Sequence, residues 1–575
     1  MAKRHRQTVL VQVSPASMNK ILPGRMKLGR KSFDVEPLFV SDPANAVSLL
    51  DAPEWFIIKP RGADDGRHPW DWAHHVCDQL SIAAGDSVYV EPDLEHRWPY
   101  LNREQPHGIS TVPGECVANG PDPAWPTRKE FAWHLGDEFS QLKRARETVA
   151  KNGAASKVRI CHIDVGIDPS HITAPKNINY ALARNFVENN NDARDPGRRG
   201  VLYNPGHGTG TVGILAGNYI EVFGEDSSDK PIFADYLGGA PEAEIVPVRA
   251  ANSVVHLFTS SMARAIAYAA QPGAAGSNEP ACHVVSISMG GLPSRSWAAA
   301  VNLAYEKGVV VVAAAGNNFG GLPLKTLVWP ARFNRVLAAC GVTADKTGYW
   351  KDGIHFSMQG CLPGGHEDHS LAAFTPNIPW AELGCSDVID LDGAGTSSAT
   401  PQIASASANW LMMDGGDLES NWRRVEAVRR ALFQSADKSL PESEKYFGNG
   451  VLRAADVLAV EPAAFASDLI EAGADDVRFP LMEMLPQWEA VDPARRAMFE
   501  VEMAQLYAGN ARLQEMFPEL DEGRLVGVES ANVELAKLIA AFIDLPEISL
   551  TLRRFLLADT QQPTAPCRSA GRNRI

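Results

Sequence analysis

"SWAAAVNLAYEKGVVVVAAA" (296–315) joins two different patterns in one run. Its first part spaces small and apolar residues as a helix does and stops at Gly308, a residue suited to ending one. Its second part is almost continuously apolar, the pattern of a strand covered on both faces. Three further runs share it: "VRICHI" (158–163), "IVPVR" (245–249) and "HVVSIS" (283–288). "TSSMARAIAYAA" (259–270) supplies another helix between them. Strands alternating with helices predict an α/β unit, a mostly parallel sheet flanked by helices. Ligand sites in such units lie at the carboxyl ends of the strands.

The chain has 575 residues, so about three or four units are expected. With 45% hydrophobic and 21% charged residues it can bury a sizeable core. A net charge of −15 argues against a nucleic-acid-binding surface and is read as solubility. Gln7, Gln12, Ser14 and Pro15 interrupt the apolar run near the start, which argues against a secretory signal. No segment approaches the roughly 18 apolar residues of a membrane span, so no membrane partner is expected. The eight cysteines contain no CxxC pair and predict neither a disulfide framework nor a zinc site. Reduced thiols and a cytoplasmic setting follow, with Cys161 and Cys340 packed as small hydrophobes.

Around the α/β pattern the chain changes character. Residues 1–100 carry strand-like "EWFIIKP" (54–60) and "DSVYVEP" (86–92) with a helix near "WDWAHHVCDQL" (70–80), a small α+β N-terminal domain. Residues 101–127 read as a Pro-rich linker and 128–460 as the main domain. Residues 461–558 read as a helical C-terminal domain that is open to a protein partner and not needed for chemistry. There Phe499, Met503 and Leu506 follow Asp492-Pro493, and Leu535, Leu538, Ile539 and Phe542 follow a cap at Asn532. Residues 559–575 are too polar to fold. His74, His75 and Cys77 lack a second ligand cluster, so surface histidines are expected there rather than a metal site.

Three residues could do chemistry together. Asp164 follows the "VRICHI" strand, His207 opens "HGTGTVGILAG" (207–217), and Ser397 sits in "GTSSATP" (395–401). Singly they read as a turn residue, a structural histidine and a helix cap. In chain order they run Asp, His, Ser, the order found in subtilisin. With "HIDVGIDPSH" (162–171), "GHGTGTVGILAG" (206–217) and "GTSSATPQIA" (395–404), the chain resembles the subtilisin-like serine proteases, the subtilases of peptidase family S8. "GAPEAEIVPVR" (239–249), "VVSISMGG" (284–291), "VVVAAAGNN" (310–318) and "FGNGVLRAADVL" (447–458) extend the resemblance over roughly residues 131–460.

The resemblance implies a subtilisin-like fold and an endopeptidase acting on protein or peptide. Ser397 would be the nucleophile, His207 its base, Asp164 the residue orienting the imidazole, and Asn317 an oxyanion donor. Ser288, Met289, Gly290 and Gly291 would line one wall of the primary specificity pocket, and Ala314, Ala315 and Gly316 the other. No cofactor is implied for the chemistry. Many subtilases bind structural calcium, but "ENNNDARDPG" (188–197) lacks EF-hand spacing and is expected to be a solvated loop. The chain departs from the family at Val165, where subtilases usually carry Thr or Ser, and at Thr211 and Val212. Val328 stands where the family often has glycine and is either a raised pocket floor or ordinary core. Two other roles remain open: a maturation protease with one dedicated partner, and a weakly active subtilase used as a binding module. Residues 1–100 resemble the family's preceding inhibitory domain, with a permanent accessory domain as the alternative.

Overall fold

The computed structural model describes residues 7–14, 23–28, 31–39, 54–62, 64–97, 116–154, 156–198, 204–224, 227–254, 256–273, 277, 279–317, 327–349, 367–415, 418–441, 443–462, 468–485, 487–517, 520 and 528–560. Most of the expected linker (101–115) and tail (561–575) lies outside them.

A seven-stranded, wholly parallel sheet forms the centre. Its strand order is Ser370–Phe374, Val336–Val342, Val310–Ala314, Val284–Ile287, Arg159–Asp164, Glu244–Arg249 and Arg184–Asn185. The continuous apolar runs have the expected cause. Val310 and Val312 point into one core, Val311 and Ala313 into the other, and none is more than 1% exposed. Thr259–Ala269 and Arg295–Glu306 pack on one face, Leu142–Asn152, Thr396–Asp414 and Trp422–Ser435 on the other. Gly308 follows the Lys307 cap with φ +73°, a left-handed turn that suits glycine.

The N-terminal domain is a five-stranded antiparallel sheet in the order Gly24–Leu28, Lys31–Pro37, Glu54–Arg61, Val9–Val13 and Tyr89–Pro92. "EWFIIKP" falls in the strand Glu54–Arg61. "VLVQV" (9–13) precedes it in the chain and lies beside it, burying Val9, Leu10, Val11 and Val13. The helix Pro69–Ala84 packs against this sheet. His74 on that helix is 2% exposed, which corrects the expectation of surface histidines. Phe499 of the C-terminal domain covers it with ring centroids 5.0 Å apart, and burial pulls the imidazole down to about 3.

The helix Pro493–Ala508 begins as expected, with the Asp492 carboxylate accepting from Ala494 N and Arg495 N. Val528–Ile543 starts before Asn532, so that residue is no cap, and Leu550–Thr560 runs past the expected start of the tail. These helices do not stand apart. Trp70 Nε1 donates to Gln505 Oε1 (2.9 Å), Gln505 Nε2 donates to Pro293 O (2.8 Å), and Asp71 accepts from Leu550 N and Thr551 N at 3.0 and 2.8 Å. N-terminal, central and C-terminal side chains form one continuous apolar cluster.

Cys116 and Cys385 form a disulfide across a sequence separation of 269 residues, which corrects the expectation of reduced thiols throughout. The physical reason is tertiary. Residues after Cys116 lie along the strand Ile389–Gly393, with Leu391 N donating to Asn119 O at 2.8 Å, and no local spacing announces such a pair. Cys161 and Cys340 are buried and outside the disulfide, as expected.

Candidate active site

Asp164 ends the strand Arg159–Asp164, and His207 begins the helix His207–Ala216. Glycine lets these elements meet: a Cβ at Gly208 would lie 2.0 Å from Gly166 O. His207 Nδ1 is 2.9 Å from Asp164 Oδ1 and 3.1 Å from Oδ2, so Nδ1–H donates and Nε2 is left to act as a base. Asp164 is 1% exposed and also accepts from Val165 N at 2.7 Å. Burial alone would raise its carboxyl, but the charge and hydrogen bond of His207 outweigh it and hold the group below the usual carboxylate value. Arg249 Nε fixes the next peptide by donating to Val165 O at 2.8 Å.

Ser397 is the second residue of the helix Thr396–Asp414, whose cap is Gly395 at φ +80°. The helix-cap explanation of this serine is thereby removed. Pro401 has no N–H to offer Ser397 O, and Ser288 Oγ fills the gap by donating to that carbonyl at 2.9 Å. In return Ser397 Oγ donates to Ser288 O at 3.1 Å, so that carbonyl holds its proton at rest. A turn about χ1 redirects it, a common difference between a resting and a reacting hydroxyl. The adjacent Ser398 is fully buried, and its hydroxyl is held by Thr375 Oγ1 and Gly395 O at 2.8 and 2.9 Å.

Asn317 lies just beyond the strand Val310–Ala314. Its Oδ1 accepts from Thr396 N (3.1 Å) and Thr396 Oγ1 (3.2 Å), which turns Nδ2 over the bend before Ser397. A Cβ at Gly395 would lie 2.6 Å from that Nδ2, so only glycine fits beneath it. The two expected pocket walls are brought together by the segment between them. Val328 N donates to Ala315 O at 3.0 Å, and Trp329 and Gly291 exchange backbone bonds at 2.8 and 3.2 Å. Met289, Ala314 and Ala315 are each 3% exposed. A Cβ at Gly290 would lie 2.4 Å from Val328 Cγ2, and one at Gly316 2.8 Å from Val328 Cγ1. The isopropyl group thus fills the space between both walls.

Sequence reasoning missed Trp380. Its ring stands edge-on to His207 with centroids 5.4 Å apart, and a Cβ at Gly210 would overlap it at 2.0 Å. The available signal was Gly210, a second glycine early in the His207 helix. The 188–197 loop does not fit a cation. Glu188 pairs with Arg249 and Arg198, Asp192 with Arg194, and Asp195 accepts from Gly206 N at 2.7 Å.

A base, a paired carboxylate, a serine at a helix N-terminus and a carboxamide turned toward it together suit acyl transfer. The sequence model of the subtilase family matches residues 155–450, just over half of the chain. The chain belongs to the subtilase family. As a subtilase it is a serine endopeptidase. It is 27% identical to Subtilisin DY of Bacillus licheniformis over 272 residues, 46% of this chain and 81% of that protein. To Thermitase of Thermoactinomyces vulgaris it is 27% identical over 288 residues, 50% of this chain and 82% of that protein. To a thermophilic serine proteinase of Bacillus sp. (strain AK1) it is 28% identical over 300 residues, 50% of this chain and 58% of that protein. No helix among the described residues of this subtilase is long and apolar enough to cross a membrane.

Proposed function

We propose that this subtilase cleaves peptide bonds with Ser397 as nucleophile, His207 as general base and acid, Asp164 orienting His207, and Asn317 Nδ2 stabilising the oxyanion. The observation that carries this reading is the His207 Nδ1–Asp164 bond, made from a helix that packs against the helix bearing Ser397. The first-turn N–H groups and the dipole of that helix favour the negative oxygen of the tetrahedral intermediate. No cofactor enters the chemistry. A fluorophosphonate probe labelling wild-type protein at Ser397 tests it, and labelling at another residue refutes it. The Cys116–Cys385 bond favours work in an oxidising compartment over the cytoplasm expected from the sequence.

Val328 between the pocket walls makes the site suited to a small side chain at the residue before the cut. Val328→Gly is expected to raise the ratio of kcat/KM for phenylalanine over alanine at that position roughly tenfold or more. A paired peptide-substrate series checks this, and an unchanged ratio returns Val328 to ordinary core.

The N-terminal domain packs on the starts of the helices Thr259–Ala269 and Arg295–Glu306. Glu91 accepts from Arg295 N (3.1 Å), Ser296 N (3.1 Å) and Ser294 Oγ (2.8 Å), and Asp93 from Ser260 N and Oγ, each at 2.8 Å. Two helices are thereby capped from outside the central unit. The strand Glu95–Arg97 pairs antiparallel with His256–Phe258, and His96 Nδ1 accepts from Leu292 N at 3.0 Å, beside the 288–291 wall. This supports a domain that restrains the enzyme, and the C-terminal contacts to Trp70 and Asp71 support one that stays in place after the chain is cut. Glu91→Gln combined with Asp93→Asn is expected to raise peptidase activity above that of wild type. Equal activity, with the domain still bound by gel filtration, would leave it an accessory only.

A further inference from the structure

His162 precedes Asp164 by two residues on one strand, so both side chains leave the same face of the sheet. His207 and Thr211 lie four apart on one helix and share a face of it. Strand and helix therefore present two pairs to each other, Asp164 with His207 and His162 with Thr211. In the second pair His162 Nε2 is 2.8 Å from Thr211 Oγ1, which is in turn 3.1 Å from Asp164 Oδ2. His162 itself lies 3.9 Å from that oxygen, beyond direct hydrogen bonding. The three residues are 2%, 0% and 1% exposed, so water does not compete.

One hydroxyl proton must be assigned. Thr211 Oγ1 also approaches His207 O at 3.1 Å and Gly208 O at 3.3 Å, the ordinary back-bonding of a threonine in a helix. Those carbonyls are neutral, whereas the carboxylate is charged and is the stronger acceptor. Two lone pairs would otherwise face each other between Oγ1 and Oδ2. With its proton given to Asp164, Thr211 can only accept from His162, which makes that imidazole the Nε2–H tautomer. Burial pulls His162 down to about 4 despite the Asp164 charge, so it is a neutral donor at pH 7. Val165 supplies its N–H to Asp164 Oδ1 but has no hydroxyl to offer.

We propose that Thr211 and His162 are positioning residues, and that the chain His162 Nε2–H to Thr211 Oγ1–H to Asp164 Oδ2 fixes the carboxylate that orients His207. The proposal rests on the triad reading above, and its test separates the two. In the full chain, imidazole nitrogen-15 NMR at pH 7 should show His162, assigned by its loss in His162→Gln, as the neutral Nε2–H tautomer. A charged ring or the Nδ1–H tautomer would overturn the proposal whatever the activity. Thr211→Val should lower kcat roughly tenfold to a hundredfold with KM unchanged, and slow fluorophosphonate labelling equally. Thr211→Ser should restore most of both. Wild-type kinetics in a folded Thr211→Val protein would overturn the positioning role while leaving the triad intact. If wild type and Ser397→Ala were equally unreactive, the triad reading would fall instead, and the tautomer alone would decide the hydrogen-bond chain.

Discussion

Ser397→Ala is expected to lower turnover by roughly a millionfold while leaving the fold unchanged. The scale is subtilisin's own, where loss of the nucleophile or of the base costs about as much as loss of the whole triad. The fold should survive because the substitution removes only the bond from Ser397 Oγ to Ser288 O. The Ser288 hydroxyl still satisfies the carbonyl that Pro401 leaves open, so the helix start keeps its anchor. Active-site titration with a fluorophosphonate, beside a melting curve, checks both halves. Retained labelling in the folded variant would move the nucleophile elsewhere. His207→Ala should be comparably damaging, and combining the two should add little, because base and nucleophile act as one unit.

Asn317→Ala is expected to lower kcat by roughly 10²–10³-fold with little change in KM. That magnitude again comes from subtilisin, for loss of its oxyanion-hole asparagine. The geometry explains why the loss should fall on turnover. Oδ1 is committed to Thr396, so Nδ2 is the group left to meet charge that develops only in the transition state. Steady-state kinetics on one peptide ester distinguish the cases, and a raised KM with unchanged kcat would make Asn317 a ground-state binding residue. Because Asn317 Oδ1 also receives the Thr396 N–H, a small fall in melting temperature should accompany the kinetic loss.

Local pattern carried the centre of this molecule. Apolar runs bounded by turns are stable only when covered on both faces, so "VRICHI", "IVPVR", "HVVSIS" and "VVVVAAA" could be read as parallel strands without coordinates. The helix at Pro493 was equally legible, because Asp492 must satisfy N–H groups that the helix cannot. The Asn532 cap failed for the converse reason: a polar residue can lie inside a helix as well as at its end.

What remained hidden depends on residues distant in sequence. Cys116 meets Cys385 only because the linker's end lies along a strand of the catalytic unit. His74 is buried by a helix more than four hundred positions away, and a histidine's own neighbours cannot report such a cover. Trp380 reaches His207 through the space left by Gly210, which the sequence shows merely as a small residue. That Val328 lies against Gly290 and Gly316 could not be read from the chain, where those glycines stand 38 and 12 positions before it. The sequence by itself determined the order and spacing of Asp164, His207, Asn317 and Ser397, since chemistry demands those residue types. Tertiary structure alone decided which groups hold Asp164, that Val328 lies against Gly290 and Gly316, and that His96 lies beside Gly291, because packing and hydrogen bonding select partners by distance in space rather than along the chain.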